Sequence, residues 1–203
     1  MTSFDAVIYD VGNVLIRWDV RALYRTIFDD PDEMEHFLTT VWTPMENDRC
    51  DRGTPFAEVI AETVARHPQH ESAIRAAWDR WIETVPGPVE GAWELVEELD
   101  ARGVPLYALS NFSAETFPLV CDAYPGFARF RDVVISGAHP GLAKPDREIF
   151  ELLLDRNGLR AKATVFIDDS PTNVAAAKEL GLTTVTFTDT VALRRELAAY
   201  GLL

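Results

Sequence analysis

The stretch Phe4-Asp5-Ala6-Val7-Ile8-Tyr9-Asp10-Val11-Gly12-Asn13-Val14-Leu15 decides how the rest of the chain is read. Val7, Ile8 and Tyr9 form a β-prone apolar run without polar alternation, the pattern of a strand covered on both faces. Asp10 closes that run. Open parallel sheets bind ligands beyond the carboxyl ends of their strands, so a carboxylate there is placed for chemistry. Asp10 ahead of Gly12-Asn13 is also good turn chemistry. The stretch alone leaves both readings open.

Working outward, the break Pro86-Gly87-Pro88 separates two kinds of sequence. Beyond it, helix and strand patterns alternate. Residues 88–103 read as a helix closed by Gly103, and VPLYALS as a strand. SAETFPLVCDAY reads as a helix opened by Ser113, and DVVISG as a strand. DREIFELLLDRNG is an amphipathic helix, ATVFIDD a buried strand, SPTNVAAAKELG a helix, TTVTF a strand and TVALRRELAAYG a last helix. Such alternation specifies an α/β fold with a parallel sheet, because parallel neighbours need crossovers. Residues 1–18 and 87–203 are therefore expected to form one Rossmann-like core.

Residues 19–86 contain no convincing strand and read as an inserted all-helical cap. VRALYRTIF, PDEMEHFL, PFAEVIAETVARH and ESAIRAAWDRWIETV carry helical periodicity or helix-start signals. Trp78 and Trp81, three apart, are expected to share a helix face and pack a small bundle. The segment from Val41 to Arg49 lacks clean periodicity and mixes an aromatic residue with charges. It reads as a connecting loop and a candidate specificity loop, with Trp42, Glu46, Asn47 and Arg49 as candidate substrate contacts.

Composition narrows the function classes. The 203 residues are 47% hydrophobic, ample for a core, and Lys plus Arg number 19 against 33 Asp plus Glu, a net charge of −14. That balance argues against nucleic acid and anionic membrane as partners. Cys50 and Cys121 fit no metal spacing, and no apolar run approaches the ~20 residues that span a bilayer. The chain reads as a soluble cytoplasmic protein.

Four strand ends carry polar groups: Asp10, Ser110-Asn111, Lys144 just past DVVIS, and Asp168-Asp169. In a parallel sheet these ends meet at one edge. Taken singly, Ser110 could satisfy a turn, Lys144 could be solvated, and Asp169 could favour a helix N-terminus. Together they form a set. Three carboxylates at one edge repel unless a cation joins them, and Mg²⁺ prefers such oxygen ligands. A metal, a lysine and a nucleophilic carboxylate make a phosphoryl-transfer site.

With those residues in place, the chain resembles haloacid dehalogenase superfamily hydrolases that carry a helical cap. Asp10-Val11-Gly12-Asn13-Val14 is similar to the first motif of small sugar-phosphate phosphatases of the alpha-glucose-1-phosphate phosphatase type. Residues 109–111, 143–146 and 167–173 resemble the second, third and fourth motifs. The resemblance implies Asp10 as nucleophile and metal ligand, and Ser110, Asn111 and Lys144 as holders of the phosphoryl group. It implies Mg²⁺ bound by Asp169, with Asp168 acting directly or through water, and Asn173 orienting that shell. The partner it implies is a small phosphorylated metabolite.

One position departs from the pattern. Most phosphatases of this superfamily have a second aspartate two residues after the nucleophile, which protonates the leaving group. Here Gly12 retains the backbone carbonyl for metal and substrate but no acid. A donor from the cap, or His139, could stand in, or an easier leaving group such as an anomeric phosphate could remove the need. The gap also admits a dehalogenase, which the retained Asp168-Asp169 pair argues against, or a catalytically weak binding protein.

Overall fold

The computed structural model describes residues 4–203; residues 1–3, which open the expected core segment 1–18, lie outside the described residues. The chain enters through β1 (Ala6–Tyr9) and β2 (Ile16–Arg17). It then runs through α1 (Val20–Tyr24), α2 (Pro31–Thr40), α3 (Pro44–Asp51), α4 (Phe56–Arg66) and α5 (Glu71–Asp79), and returns at β3 (Gly87–Pro88). From there the alternation is regular: α6 (Ala92–Ala101), β4 (Leu106–Ser110), α7 (Phe117–Ala123), β5 (Asp132–Ile135), α8 (Arg147–Asn157), β6 (Thr164–Asp168), α9 (Pro171–Glu179), β7 (Thr183–Thr186) and α10 (Thr190–Ala199).

Five strands make one parallel sheet in the order β5-β4-β1-β6-β7. β1 lies at its centre, with Tyr9 paired to Ala108 on one side and to Ile167 on the other. Its side chains alternate between two cores. Val7 and Tyr9 join the larger cluster, which continues through α6 into helices α1 to α5, while Ala6 and Ile8 face Phe150, Leu153 and Phe166. Burial on both faces is why this strand reads as an unbroken apolar run. The order also sets Asp10, Ser110 and Asp168 at adjacent strand ends, which is what positions the site.

β2 and β3 pair antiparallel, Ile16 opposite Pro88. This two-strand ribbon is where the chain leaves the sheet for the helical segment and comes back. The helical segment is also latched to the part of the chain beyond β3. Phe56 N–H donates to Glu115 Oε2 at 2.7 Å, and Arg52 Nη1 lies 3.4 Å from Asp146 Oδ2.

Several elements differ from the sequence expectation. The expected loop at 41–49 contains helix α3: Thr43 and Glu46 form a reciprocal capping box, and Pro44 sits in the first turn. The helix expected over 71–85 stops at Asp79. A 3₁₀ turn over Trp81–Thr84 follows, held by Arg80, whose Nη2 bonds Glu83 Oε2 at 2.6 Å and Thr26 Oγ1 at 2.7 Å. Trp78 and Trp81 therefore do not share one helix. Trp81 is buried while Trp78 is 39% exposed. Ser113 does not open α7, whose first turn is set by Pro118; its Oγ instead accepts Glu115 N–H at 3.2 Å. Helix α1 also ends early, at Tyr24.

No helix among the described residues is long and apolar enough to cross a membrane. Cys50 and Cys121 are unpaired, and burial pushes the Cys50 thiol up to about 12.

Candidate active site

The Asp10 carboxylate is divided in its bonding. Oδ1 accepts Val11 N–H at 2.7 Å, Ser110 Oγ–H at 2.7 Å and Lys144 Nζ at 2.8 Å. Oδ2 receives no hydrogen bond among the described residues and the side chain lines a cavity of about 180 Å³. One oxygen is thus anchored by a strand-end amide, the β4 hydroxyl and the lysine, which leaves the other free to react.

Lys144 is held by main chain as well as by charge. Its N–H donates to Asn111 Oδ1 at 2.7 Å and its carbonyl accepts Asn111 Nδ2 at 2.8 Å. The ammonium, 3% exposed as a residue, sits between Asp10 and Asp168 Oδ2 at 2.6 Å. Burial alone would lower its pKa, but the two carboxylates outweigh burial and hold it above the ordinary value. Asn111 lines the cavity, yet both of its polar side-chain atoms are engaged with the Lys144 backbone. Positioning the lysine is the contact it makes.

Asp168 and Asp169 differ sharply in placement. Asp168 is fully buried: Oδ2 takes Lys144, Oδ1 takes Ser170 N–H at 2.8 Å, and Asn173 Nδ2 lies 3.1 Å from both oxygens. Burial and the Asp10 charge push its pKa up to about 6, against the pull of Lys144. Asp169 is exposed and lines the cavity, with its pKa raised by burial and the Asp10 charge. The two acids, of which Asp169 was the expected direct ligand, are thus placed differently. Asp168 holds the lysine, and Asp169 faces the open space.

The donor set fits a hard divalent cation. One oxygen each of Asp10, Asp168 and Asp169 lie within 4.8 Å of one another. Three carboxylates against the one Lys144 ammonium leave two negative charges to neutralise. Carboxylate oxygens of this kind suit Mg²⁺. Asp10 and Asp169 would hold it, together with the Gly12 carbonyl. Gly12 itself leaves room: a Cβ there would meet nothing within 4 Å. Asn13, at φ 56°, sits in the left-handed region that Asn tolerates, and its Oδ1 accepts Trp18 N–H at 3.1 Å.

The opposite wall comes mostly from the helical segment between β2 and β3. Of the four expected contacts only Asn47 lines the cavity, with Asp51, Trp18 and Trp81 beside it and Phe112 from the core. Glu46 is instead a structural acid. Its Oε2 closes the capping box on Thr43, and Oε1 pairs with Arg66 Nη2 at 2.9 Å. Arg49 turns away to Glu62 at 2.8 Å. Trp42 is buried behind the wall, its ring stacked on Phe56 at 6.4 Å. The departures of Glu46 and Arg49 follow from α3 being a helix, which sends successive side chains in different directions, while Trp42 lies ahead of it between α2 and α3.

Sequence reasoning missed Asp51, Trp18, Trp81 and Phe112. The available signal was the Thr43-Pro44-Met45-Glu46 capping pattern, which implies a helix whose 47 and 51 positions share a face. Asn47 Nδ2 does donate to Asp51 Oδ2, at 2.9 Å. His139 does not line the cavity.

Known proteins are similar to this chain in sequence or in structure. A sesquiterpene phosphatase of Aspergillus oryzae is 26% identical over 207 residues, covering 97% of this chain and 96% of that protein. A glyceraldehyde 3-phosphate phosphatase of Methanocaldococcus jannaschii is 43% identical over 61 residues, 30% of this chain and 27% of that one. A solved enzyme of Bacteroides thetaiotaomicron, described as a HAD family enzyme in complex with magnesium and inorganic phosphate, superposes with a TM-score of 0.71 at 25% identity. That match covers 93% of this chain and 96% of that one. The haloacid dehalogenase-like hydrolase model matches residues 4–181, and with its motif residues gathered at the strand ends the chain belongs to that family of hydrolases.

Proposed function

We propose that this hydrolase is a Mg²⁺-dependent phosphomonoesterase that cleaves a small phosphorylated metabolite through an aspartyl-phosphate on Asp10, a sugar 1-phosphate being the substrate type. The observation that carries the reading is the division of the Asp10 carboxylate, with Oδ1 tied by three donors and Oδ2 unpartnered in the cavity. Oδ2 attacks phosphorus, the ester oxygen departs, and water then releases orthophosphate. Ser110 and Lys144 keep the attacking carboxylate oriented, and the lysine charge faces the phosphoryl oxygens as they gather charge. Mg²⁺ would add further neutralisation of that charge.

Residues 19–86 act in this reading as a cap domain over the core formed by 1–18 and 87–203. The cavity, about 180 Å³, favours a small ester. Trp81 and Phe112, packed edge-to-face with centroids 5.4 Å apart, form an aromatic wall that suits the apolar face of a sugar, and the amides of Asn13 and Asn47 suit its hydroxyls. The relatives named as phosphatases support the reaction while differing in the alcohol they release. Asp169 in the cavity favours phosphoryl transfer over halide displacement, which needs no cation. The unpaired cysteines suit a cytoplasmic setting.

The test is hydrolysis of p-nitrophenyl phosphate with Mg²⁺ and with EDTA, repeated with Asp10→Asn, followed by a panel of phosphate esters. Metal-dependent turnover abolished by the substitution is the expected result. EDTA-insensitive chloride release from a haloacid would refute the phosphatase reading. Equal or faster turnover of glycerol phosphate than of sugar 1-phosphates would refute the substrate type.

A further inference from the structure

Gly12 leaves the site without an acid beside the nucleophile, and the cavity shows where one comes from. Three carboxylates line it: Asp10, Asp51 and Asp169. Asp10 and Asp169 lie at core strand ends, with the roles argued above. Asp51 alone belongs to the cap, as the last residue of α3. We propose that Asp51 is the general acid of this enzyme, delivering from the cap the proton that the leaving oxygen needs. The assignment rests on the phosphomonoesterase reading and adds to it the identity of the proton donor.

The backbone under Asp51 is fixed against the core. Its carbonyl accepts Ser136 Oγ–H, and that same Oγ accepts Phe112 N–H at 3.0 Å. Two residues on, Gly53 approaches Gly137 and Pro140 so closely that a Cβ would stand 3.2 Å from each. Asn47, one turn earlier on α3, donates to Oδ2 at 2.9 Å. The α3 terminus is thus seated on the core, with its carboxyl turned into the cavity that Asp10 floors.

The Asp51 carboxyl accepts Asn47 Nδ2–H and the Ser113 amide, contacts that ask for an acceptor oxygen but not for a titratable acid. A carboxylate at a helix C-terminus opposes the helix dipole, and Asp48 adds a like charge from the same helix. Burial, together with Asp48, pushes the Asp51 pKa up to about 7, while the Ser113 backbone amide pulls it down. The other ionisable groups about it are Cys50 and Arg52 on its own chain segment, and Asp10, Asp169 and Lys144 across the cavity. A neutral carboxyl near pH 7 is a competent donor. Asparagine would serve the packing as well but has no such proton to give.

The proton balance closes over one cycle. Asp10 Oδ2 forms a bond to phosphorus as the bond to the ester oxygen breaks. That oxygen keeps the electron pair and takes the Asp51 proton, leaving as a neutral alcohol. Asp51, now a carboxylate, accepts a proton from the water that attacks the aspartyl-phosphate. Orthophosphate departs and Asp51 is again neutral.

The test compares wild type, Asp51→Asn, the double variant Asp51→Asn with Gly12→Asp, and Asp10→Asn. Each is assayed with Mg²⁺ on p-nitrophenyl phosphate, whose leaving group needs little protonation, and on phenyl phosphate, whose leaving group needs more. Values of kcat/KM report the steps through loss of the alcohol. Asp51→Asn is expected to lose ~10²–10⁴-fold on phenyl phosphate and far less on the nitrophenyl ester, which also shows that the variant is folded. Wild-type kcat/KM on phenyl phosphate should fall as pH rises through about 7, and the variant should lack that limb. Gly12→Asp, entering open space, should restore part of the phenyl phosphate activity.

An equal loss on both esters, or a pH limb that survives the substitution, would overturn the assignment. Wild type no more active than Asp10→Asn on the nitrophenyl ester would instead remove the phosphatase reading itself, and the assignment with it.

Discussion

Gly12 lines the cavity and Gly137 sits in the 3₁₀ turn over Ser136–Ala138, and a single methyl group at each should move stability in opposite directions. Neither has the positive φ that would strain an alanine. At Gly137 a Cβ would stand 2.5 Å from Ala114 N, 2.7 Å from Phe112 O and 2.9 Å from Ser113 Cα. Carbon contacts are optimal at ~3.5–4.0 Å, so the loop over residues 112–114 must retreat by about an ångström. All three contacts are backbone, so no side chain can swing aside. The retreat strains the bond from Gly137 N–H to Phe112 O, now 2.9 Å, and that from Phe112 N–H to Ser136 Oγ, now 3.0 Å. Overpacking costs ~1–3 kcal/mol and each weakened hydrogen bond ~0.5–1.5 kcal/mol. A loss of about 3 kcal/mol lowers Tm by ~6–12 °C in a chain of this size. At Gly12 a Cβ meets nothing, so alanine should stabilise by ~0.4–1 kcal/mol through the unfolded chain. Calorimetry and urea titration read both. A Gly137→Ala protein melting within 2 °C of wild type (a threshold of roughly 0.5–1 kcal/mol), or a Gly12→Ala protein melting lower, would refute the reasoning.

Lys144→Met should abolish turnover and cost ~3–5 kcal/mol, because it leaves the buried Asp168 and Asp10 without their counter-ion; urea unfolding that shifts by under ~1 kcal/mol would contradict that pairing. Asp51→Asn should melt above wild type at pH 8, with the gain shrinking toward pH 4. The folded pKa of about 7 exceeds the ordinary 3.8, so between those values the folded protein keeps a proton that the unfolded chain releases, and stability falls as pH rises. Melting curves with a pH-independent difference would count against the raised pKa. Glu46→Gln should lower stability by about 1 kcal/mol through the capping box and its pair with Arg66, while KM stays unchanged; a changed KM would return Glu46 to the cavity wall.

The sheet was legible because its central strand is apolar on both faces, and the site because a parallel sheet gathers its strand ends. Asp10, Ser110, Lys144 and Asp169 needed only that topology. The cap resisted the same reasoning for physical causes. Helix α3 buries only Glu46 and Cys50, so it has no apolar stripe for periodicity to find, and capping and docking hold it instead. The break before Trp81 carries neither Gly nor Pro. Arg80 fixes it by reaching Thr26 from 54 positions away in sequence, a contact no local pattern encodes. Asp51 reads in sequence as one more charge in Glu46-Asn47-Asp48-Arg49-Cys50-Asp51-Arg52. The capping pattern puts it on the Asn47 face, away from Asp48, and the seating of α3 on Ser136 turns that face to the cavity.

An acid carried by the cap has a consequence that an acid at position 12 would not. In the proposed reading the nucleophile Asp10, Lys144 and the cation ligand Asp169 all stand at or just beyond strand ends of the parallel sheet, outside the helical segment that carries Asp51. The proton donor is in place only while α3 is seated on Ser136 and the Gly53 turn rests against Gly137. A ligand that fits beneath Trp81 and Asn47 allows that seating, and so recruits its own acid. A larger ester that holds the cap away still reaches Asp10 and binds, but its leaving oxygen departs unprotonated. Discrimination then falls on kcat more than on binding, as expected where closure assembles the catalytic set. It is also strongest for poor leaving groups, because these depend most on the proton that the cap brings.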